Sequence, residues 1–149
     1  MRAVIQRVSQ ARVDVGGEKV AEMGAGLLAL VAVGVDDDED HARKLARKIV
    51  QLRIFNDASG RMNHSLLETG GSLAIVSQFT LFGDCRGGRR PFFGAAARPE
   101  HAAPLLDRLA EEAREQGCAV VTGRFQAEME VSLVNDGPVT LLLDTGDAF

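Results

Sequence analysis

The chain has 149 residues, the usual length of one domain, and we predict a single domain spanning residues 1–149. It is 46% hydrophobic and 26% charged, a composition that excludes disordered and collagen-like proteins. The net charge of −4 argues against sequence-independent coating of nucleic acid, although it allows a local basic patch.

Two features bear on where the protein works. Cys85 and Cys118 are too few for a disulfide framework and have neither CxxC nor zinc-type spacing, which suits a reducing compartment. Residues 1–15 alternate apolar and polar, unlike a signal peptide, and no run reaches membrane-spanning length. We therefore predict a cytoplasmic protein with no membrane contact.

The first third of the chain predicts strands and then a helix. Period-two alternation over residues 3–8 and 11–24, broken by Gly16-Gly17, predicts three strands. Residues 26–35 are almost wholly apolar, as in a strand covered on both faces. Residues 41–55 have apolar side chains at helical spacing behind an acid-rich start, which predicts an amphipathic helix.

The remainder of the chain continues this alternation. We predict one helical turn at residues 65–69, one long buried strand at 72–82, and a second helix at 99–117. Three further strands are predicted at residues 119–123, 128–134 and 139–144. The pattern predicts an α/β fold, a strand-rich sandwich with two helices on one face.

Polar residues interrupt the apolar run of residues 72–82. Ser77, Gln78 and Thr80 would each need a hydrogen-bonding partner if buried, at a cost of about 1–3 kcal/mol when unpaired. They either bond neighbouring backbone at the end of a strand or line a site, and the residues alone leave both interpretations open.

A glycine- and arginine-rich loop follows. Arg86, Arg89 and Arg90 flank Gly87-Gly88, which favours anion binding, although the lysine and the spacing of a phosphate-binding loop are absent. Phe92 and Phe93 beside these arginines either stack on bases or pack in the core.

The usual catalytic residues form no recognisable constellation. The three histidines lack metal-ligand spacing to one another, and only Cys85 with His64 or His101 offers a nucleophile–base pair. Residues 135–138, Asn-Asp-Gly-Pro, predict a turn between two strands. A cis bond before the proline would let such a turn present bare backbone carbonyl oxygens.

The motifs SQFTL (77–81), GRRP (88–91) and VSLVNDGPVT (131–140), with MRAVIQRV (1–8) and GRMN (60–63), closely resemble the D-aminoacyl-tRNA deacylase family. The likeness extends from Met1 to Asp144. Three positions differ from the family pattern: Cys85, Gly87 and Phe92, the last standing where serine is usual.

The resemblance implies a homodimer of a three-layer α/β/β fold that hydrolyses the ester of D-aminoacyl-tRNA, and of glycyl-tRNA, while rejecting L-aminoacyl substrates. It implies catalytic roles for Ser77, Gln78, Phe79 and Thr80. It further implies that Gly137 and Pro138 enter the partner subunit's pocket, braced by Arg7. The tRNA would contact Arg86, Arg89 and Arg90.

The resemblance implies no cofactor and no metal. Two other functions remain open from the residues alone: a small-molecule esterase or amidase that uses Cys85, and a non-catalytic RNA-binding module.

Overall fold

In the computed structural model, which describes residues 1–148, the chain forms eight strands, three α-helices and one 3₁₀ helix. The strands are β1 (Arg2–Val15), β2 (Glu18–Met23), β3 (Gly26–Ala32), β4 (Phe55–Asn56), β5 (Met62–His64), β6 (Ser72–Ser77), β7 (Ala119–Thr122) and β8 (Glu130–Asp144). The helices are α1 (Glu39–Gln51), α2 (Leu66–Thr69) and α3 (Pro99–Glu115), and the 3₁₀ helix is Phe79–Phe82. No helix among the described residues is long and apolar enough to cross a membrane.

Six strands form one sheet, in the order β2-β1-β3-β6-β7, with β8 paired to β1. β3, β6 and β7 run parallel to each other, whereas β1 pairs antiparallel with β2, β3 and β8. β3 is almost wholly apolar because it lies in the middle of the sheet and is buried along nearly its whole length. β4 and β5 form a separate two-stranded sheet.

Two apolar cores lie on opposite faces of this sheet and give the fold its layers. The larger core packs one face of the sheet against α1 and α3 and includes Leu45, Ile49 and Leu109. The second core, which includes Val13, Met23 and Val76, joins β2 and the end of β1 to β6. The sheet therefore folds over itself beneath a helical layer, and the predicted single-domain α/β fold is confirmed as a mixed α/β domain.

Paired charges fix the two long helices against each other. The buried Glu112 carboxylate of α3 accepts hydrogen bonds from Arg47 Nε of α1 at 2.7 Å and from Arg108 Nη2 at 2.7 Å. These bonds, with that of Arg47 foremost, lower the pKa of Glu112, so the carboxylate stays charged near neutral pH. The cluster holds α3 against α1, and the first half of α3 borders the cavity described below.

The sequence-based element boundaries need four corrections. The strands predicted at residues 3–8 and 11–15 are one strand, β1, because β8 pairs along nearly its whole length. The strand predicted over residues 72–82 ends at Ser77 and gives way to the 3₁₀ helix. The strands predicted at 128–134 and 139–144 are one interrupted strand, β8. The two helices span Glu39–Gln51 and Pro99–Glu115, slightly different bounds from those predicted.

Candidate active site

The segment of residues 77–81 leaves the sheet at the carboxyl end of β6. The Gln78 N–H donates to Val31 O at 2.8 Å, a backbone hydrogen bond that extends the pairing of β6 with β3 by one residue. The chain then turns into the 3₁₀ helix, whose first two N–H groups, on Phe79 and Thr80, donate to no backbone carbonyl within residues 1–148. Two main-chain donors are therefore available at this point for an external acceptor.

A cavity of about 550 Å³ opens beside these donors. It is lined by Ala32, Val33, Val76, Ser77, Gln78, Phe79, Ala97, Pro99, Ala102, Leu106, Phe125, Gln126, Ala127, Glu128, Met129 and Val131. The lining is mainly apolar, with a few polar groups at one side, as in sites that bind small organic groups. Of the four predicted catalytic residues, Ser77, Gln78 and Phe79 line the cavity, whereas Thr80 lies just outside it.

The Thr80 hydroxyl has a local partner. It accepts a hydrogen bond from the Gln78 side-chain amide, so the two polar groups satisfy each other at the start of the 3₁₀ helix. No histidine approaches Thr80 within the described chain, because the three histidines bond elsewhere: His41 to Asp38, His64 to Glu68 and His101 to the carbonyl of Asp37. The hydroxyl therefore lacks a general base from this chain.

Two contacts that the sequence did not predict hold the 3₁₀ helix in place. Arg2 stacks over the Phe82 ring at 4.5 Å, donates to Leu81 O at 3.2 Å and bonds Asp144 at 2.9 Å. Phe93 packs edge-to-face on Phe79 with ring centroids 5.2 Å apart. The start and the end of the chain thus both support the cavity, a long-range arrangement that local patterns do not reveal.

Residues 125–129 form a cavity wall that sequence reasoning also missed. Phe125 and Met129 contribute large apolar side chains, while Gln126 has a left-handed backbone with φ of 62°. Such a φ is uncommon outside glycine. The sequence predicted a strand from residue 128 onward and assigned no element to residues 124–127, and it gave no sign that this segment borders a cavity.

Residues 135–139, hereafter the Gly137-Pro138 turn, form a bulge in β8. Val8 pairs with Asn135 and Gln6 pairs with Thr140, so residues 136–139 stand opposite Arg7 alone. The surplus residues must leave the sheet at this point. Gly137 and Pro138 are exposed, and the peptide bond between them is cis, as the predicted presentation of carbonyl oxygens requires. The segment is not a hairpin, because both flanking strands pair with β1.

The base of the Gly137-Pro138 turn is firmly held. Arg7, which is 7% exposed, donates from Nε to Asp136 O at 3.1 Å and from Nη1 to Ile54 O at 2.7 Å. The Asn135 side chain accepts from Val139 N–H at 3.1 Å. The structure places Arg7 against the turn of its own chain, while its predicted contact with a partner's turn stays a prediction.

The Gly137-Pro138 turn is remote from the cavity of its own chain. Arg7 pairs with Leu27 of β3, and Leu27 pairs with Leu73 of β6. Leu73 precedes Ser77 by four residues, which corresponds to about 13 Å along the strand at 3.3 Å per residue. The turn and β6 are also separated by three strand spacings, about 14 Å. No residue of the turn lines the cavity. The predicted site residues therefore form two groups at two places on the chain.

The basic loop, residues 84–90, follows the 3₁₀ helix that borders the cavity. Arg86 binds Asp84 through Nε at 2.9 Å and Nη2 at 2.7 Å, and these bonds lower the pKa of Asp84 to about 2. Arg89 and Arg90 are exposed and form no ion pair within residues 1–148. The two latter arginines are thus the ones whose charge is available to an external anion.

The chain is thus a small mixed α/β protein with a cavity at the carboxyl end of β6 and an anchored glycine-proline turn. The chain belongs to the D-Tyr-tRNA(Tyr) deacylase family, whose model matches residues 4–144.

Curated relatives carry a deacylase name, and a solved structure shares the fold. The chain is similar to a D-aminoacyl-tRNA deacylase of Roseiflexus sp. (strain RS-1), 61% identical over 97% of this chain and 94% of the relative. A D-aminoacyl-tRNA deacylase of Thermus aquaticus is 54% identical over 99% of this chain and 97% of that one. A solved structure titled c-Myc DNA Unwinding Element Binding Protein is 35% identical, with a TM-score of 0.92 over 97% of this chain and 99% of that chain.

Proposed function

We propose that this protein is a D-aminoacyl-tRNA deacylase, an enzyme that hydrolyses the ester between a D-amino acid and the terminal adenosine of tRNA. Relatives that bear this name are 52–61% identical to the chain over nearly its full length. The observation that carries the proposal is the anchored Gly137-Pro138 turn, which is rigidly built and yet far from the cavity of its own chain.

The enzyme acts as a homodimer in which the Gly137-Pro138 turn of each subunit enters the cavity of the other. The distance between turn and cavity supports this, because a turn that cannot reach its own cavity can serve only another copy. Among residues 1–148, β8 pairs only with β1, and it exposes Val134 and Leu142, at 47% and 57%. A long exposed edge of this kind favours association with a second chain.

The enzyme discriminates between D and L substrates by sterically excluding the L form. Carbonyl oxygens of the partner's Gly137-Pro138 turn hold the α-ammonium group, while residues 77–80 hold the ester. Two substituents of the stereocentre are then fixed, and its handedness decides which of the two remaining positions the side chain takes. An L side chain would then be directed into main chain that Arg7 and Asn135 hold in place. Backbone cannot move aside as a side-chain rotamer can, and the identity of a D side chain matters little.

Catalysis relies on positioned backbone groups. The N–H groups of Phe79 and Thr80 stabilise the oxyanion that develops on the ester carbonyl, since no carbonyl of the chain occupies them. Gln78 and Ser77 orient the adenosine and the ester. The Thr80 hydroxyl, bonded to Gln78, has a positioning role, and water attacks with help from the substrate's 2′-hydroxyl.

The tRNA is held by the basic loop, and the reaction needs no cofactor or metal. Arg89 and Arg90 contact phosphates, with Arg86 contributing less because Asp84 neutralises it. Few phosphates are engaged, so binding depends only moderately on salt. The protein works in the cytoplasm, where aminoacyl-tRNA is used.

An esterase built on Cys85 has less support than this proposal. Cys85 is exposed on the basic loop and does not line the cavity. His64 and His101, its two candidate bases, bond Glu68 and the carbonyl of Asp37. Neither the thiol nor the imidazoles are arranged for nucleophilic catalysis.

Paired hydrolysis of D- and L-aminoacyl-tRNA carrying the same amino acid tests the proposed activity. We expect the D substrate to be cleaved at least about 100-fold faster, since forcing a side chain into packed main chain costs about 3 kcal/mol. Glycyl-tRNA, which has no side chain to collide, should be cleaved too. Resistance of glycyl-tRNA at high enzyme concentration would contradict steric rejection, and binding of tRNA without any release of amino acid would favour an RNA-binding module.

Substitution of Thr80 separates positioning from nucleophilic attack. Thr80→Ala removes one hydrogen bond, so we expect a loss of about tenfold in kcat with D-aminoacyl-tRNA. Thr80→Ser keeps the hydroxyl and serves as the control with near wild-type kcat. A loss of about 10⁶ in Thr80→Ala, the magnitude seen when a nucleophile is removed, would make the hydroxyl the attacking group instead.

Gly137→Ala tests the role of the turn. A Cβ at Gly137 would lie 2.7 Å from Val139 Cγ2 and 3.1 Å from Arg7 Nη2, so the turn must shift, and we expect about 100-fold lower kcat/KM. Gly60→Ala is the matched control, because Gly60 also has positive φ, +77°, but no neighbour within 4 Å. Both variants should lose about 1–2 kcal/mol of unfolding free energy. Equal activity in the two variants would remove the turn from the mechanism.

A further inference from the structure

Phe92 is an aromatic side chain that the fold leaves in solvent. It is 70% exposed, more than any other large apolar residue within the described chain. Its neighbour Phe93 is partly buried and packs on Phe79 of the cavity, with ring centroids 5.2 Å apart. Phe93 therefore supports the cavity, whereas packing within the described chain does not explain why residue 92 is a phenylalanine.

The Phe92 ring is nevertheless held in one place. Its backbone exchanges two hydrogen bonds with Asp84, Asp84 N–H to Phe92 O at 2.8 Å and Phe92 N–H to Asp84 O at 2.9 Å. Its ring lies against Gly94, where an added Cβ would come within 2.3 Å of the ring carbon Cζ. A ring fixed at its base and along one side, with most of its surface exposed, is a preformed contact surface.

The charges around Phe92 indicate what this surface contacts. Arg89 and Arg90 lie three and two residues before it and form no ion pair within residues 1–148, whereas Arg86 is bound by Asp84. An exposed aromatic ring beside accessible guanidinium groups is the combination that binds single-stranded nucleic acid, where the ring stacks on a base and the cations contact phosphates.

We propose that Phe92 stacks on an unpaired base of the tRNA 3′ end, upstream of the terminal adenosine, while Arg89 and Arg90 contact the flanking phosphates. This rests on the proposed function. Phe93, the next residue after Phe92, packs on Phe79 at the cavity, so Phe92 lies close to the place where the acylated adenosine would bind. Phe92 thus secures the unpaired strand and not the amino acid.

A double-mutant cycle on tRNA binding tests this contact. The affinity of wild-type protein and Phe92→Ala is measured for uncharged tRNA that either has or lacks its unpaired 3′ nucleotides. We expect Phe92→Ala to weaken binding of intact tRNA about tenfold and to have no effect with the shortened tRNA. Phe92→Trp should bind as wild type does, and Met62→Ala, at another exposed apolar residue, is the control.

The alternative outcomes overturn the proposal. Equal weakening with both tRNAs, or none with intact tRNA, would mean that Phe92 does not stack on the 3′ end. A change in oligomeric state of Phe92→Ala, measured by light scattering, would place the ring between subunits instead. The proposed function is judged separately, from hydrolysis of D-aminoacyl-tRNA by the wild-type protein, because the binding cycle involves no chemistry.

Discussion

The position of the Gly137-Pro138 turn depends on one register constraint. β8 pairs with β1 on both sides of Arg7, so the four residues opposite Arg7 have to leave the sheet. The Arg7 guanidinium lies beneath them, and a charge so deeply buried is tolerated only when its donors are satisfied. Its acceptors are the carbonyls of Asp136 and Ile54, with Asn56 close by. The turn is thereby joined to the core, although its tip projects into solvent.

In the proposed mechanism the site is made from such a turn and from the first amides of a 3₁₀ helix, so it needs few special side chains. This proposal is consistent with histidines that bond elsewhere within residues 1–148. Donors fixed in the main chain require little reorganisation as charge develops, which is the source of electrostatic catalysis. A main-chain site also recognises the groups that all amino acids share, so the handedness of the substrate can be tested without reading its side chain.

The sequence predicted the parts of this structure that depend on local pattern. Alternation in residues 3–8 predicted the first half of β1, and helical spacing in residues 41–55 predicted most of α1. The SQFTL motif marked residues that do lie at the cavity. The end of β6 at Ser77 was missed because Gln78, Phe79, Thr80 and Leu81 alternate polar and apolar as a strand does, whereas long-range contacts of Arg2 and Phe93 support the 3₁₀ helix. The role of residues 125–129 as a cavity wall depends on tertiary contacts, and the strand predicted from residue 128 gave no sign of it.

The central claim is that the turn of one subunit completes the cavity of the other, and mixed dimers test it most directly. Gly137→Ala subunits keep the cavity but lose the turn, whereas Ala127→Trp subunits keep the turn and have the cavity filled. Each variant alone should be inactive. If the turn acts on the partner, an equal mixture after subunit exchange regains about one quarter of the wild-type rate, because half of the dimers are mixed and each has one complete site. A mixture that stays as inactive as its components would contradict the account.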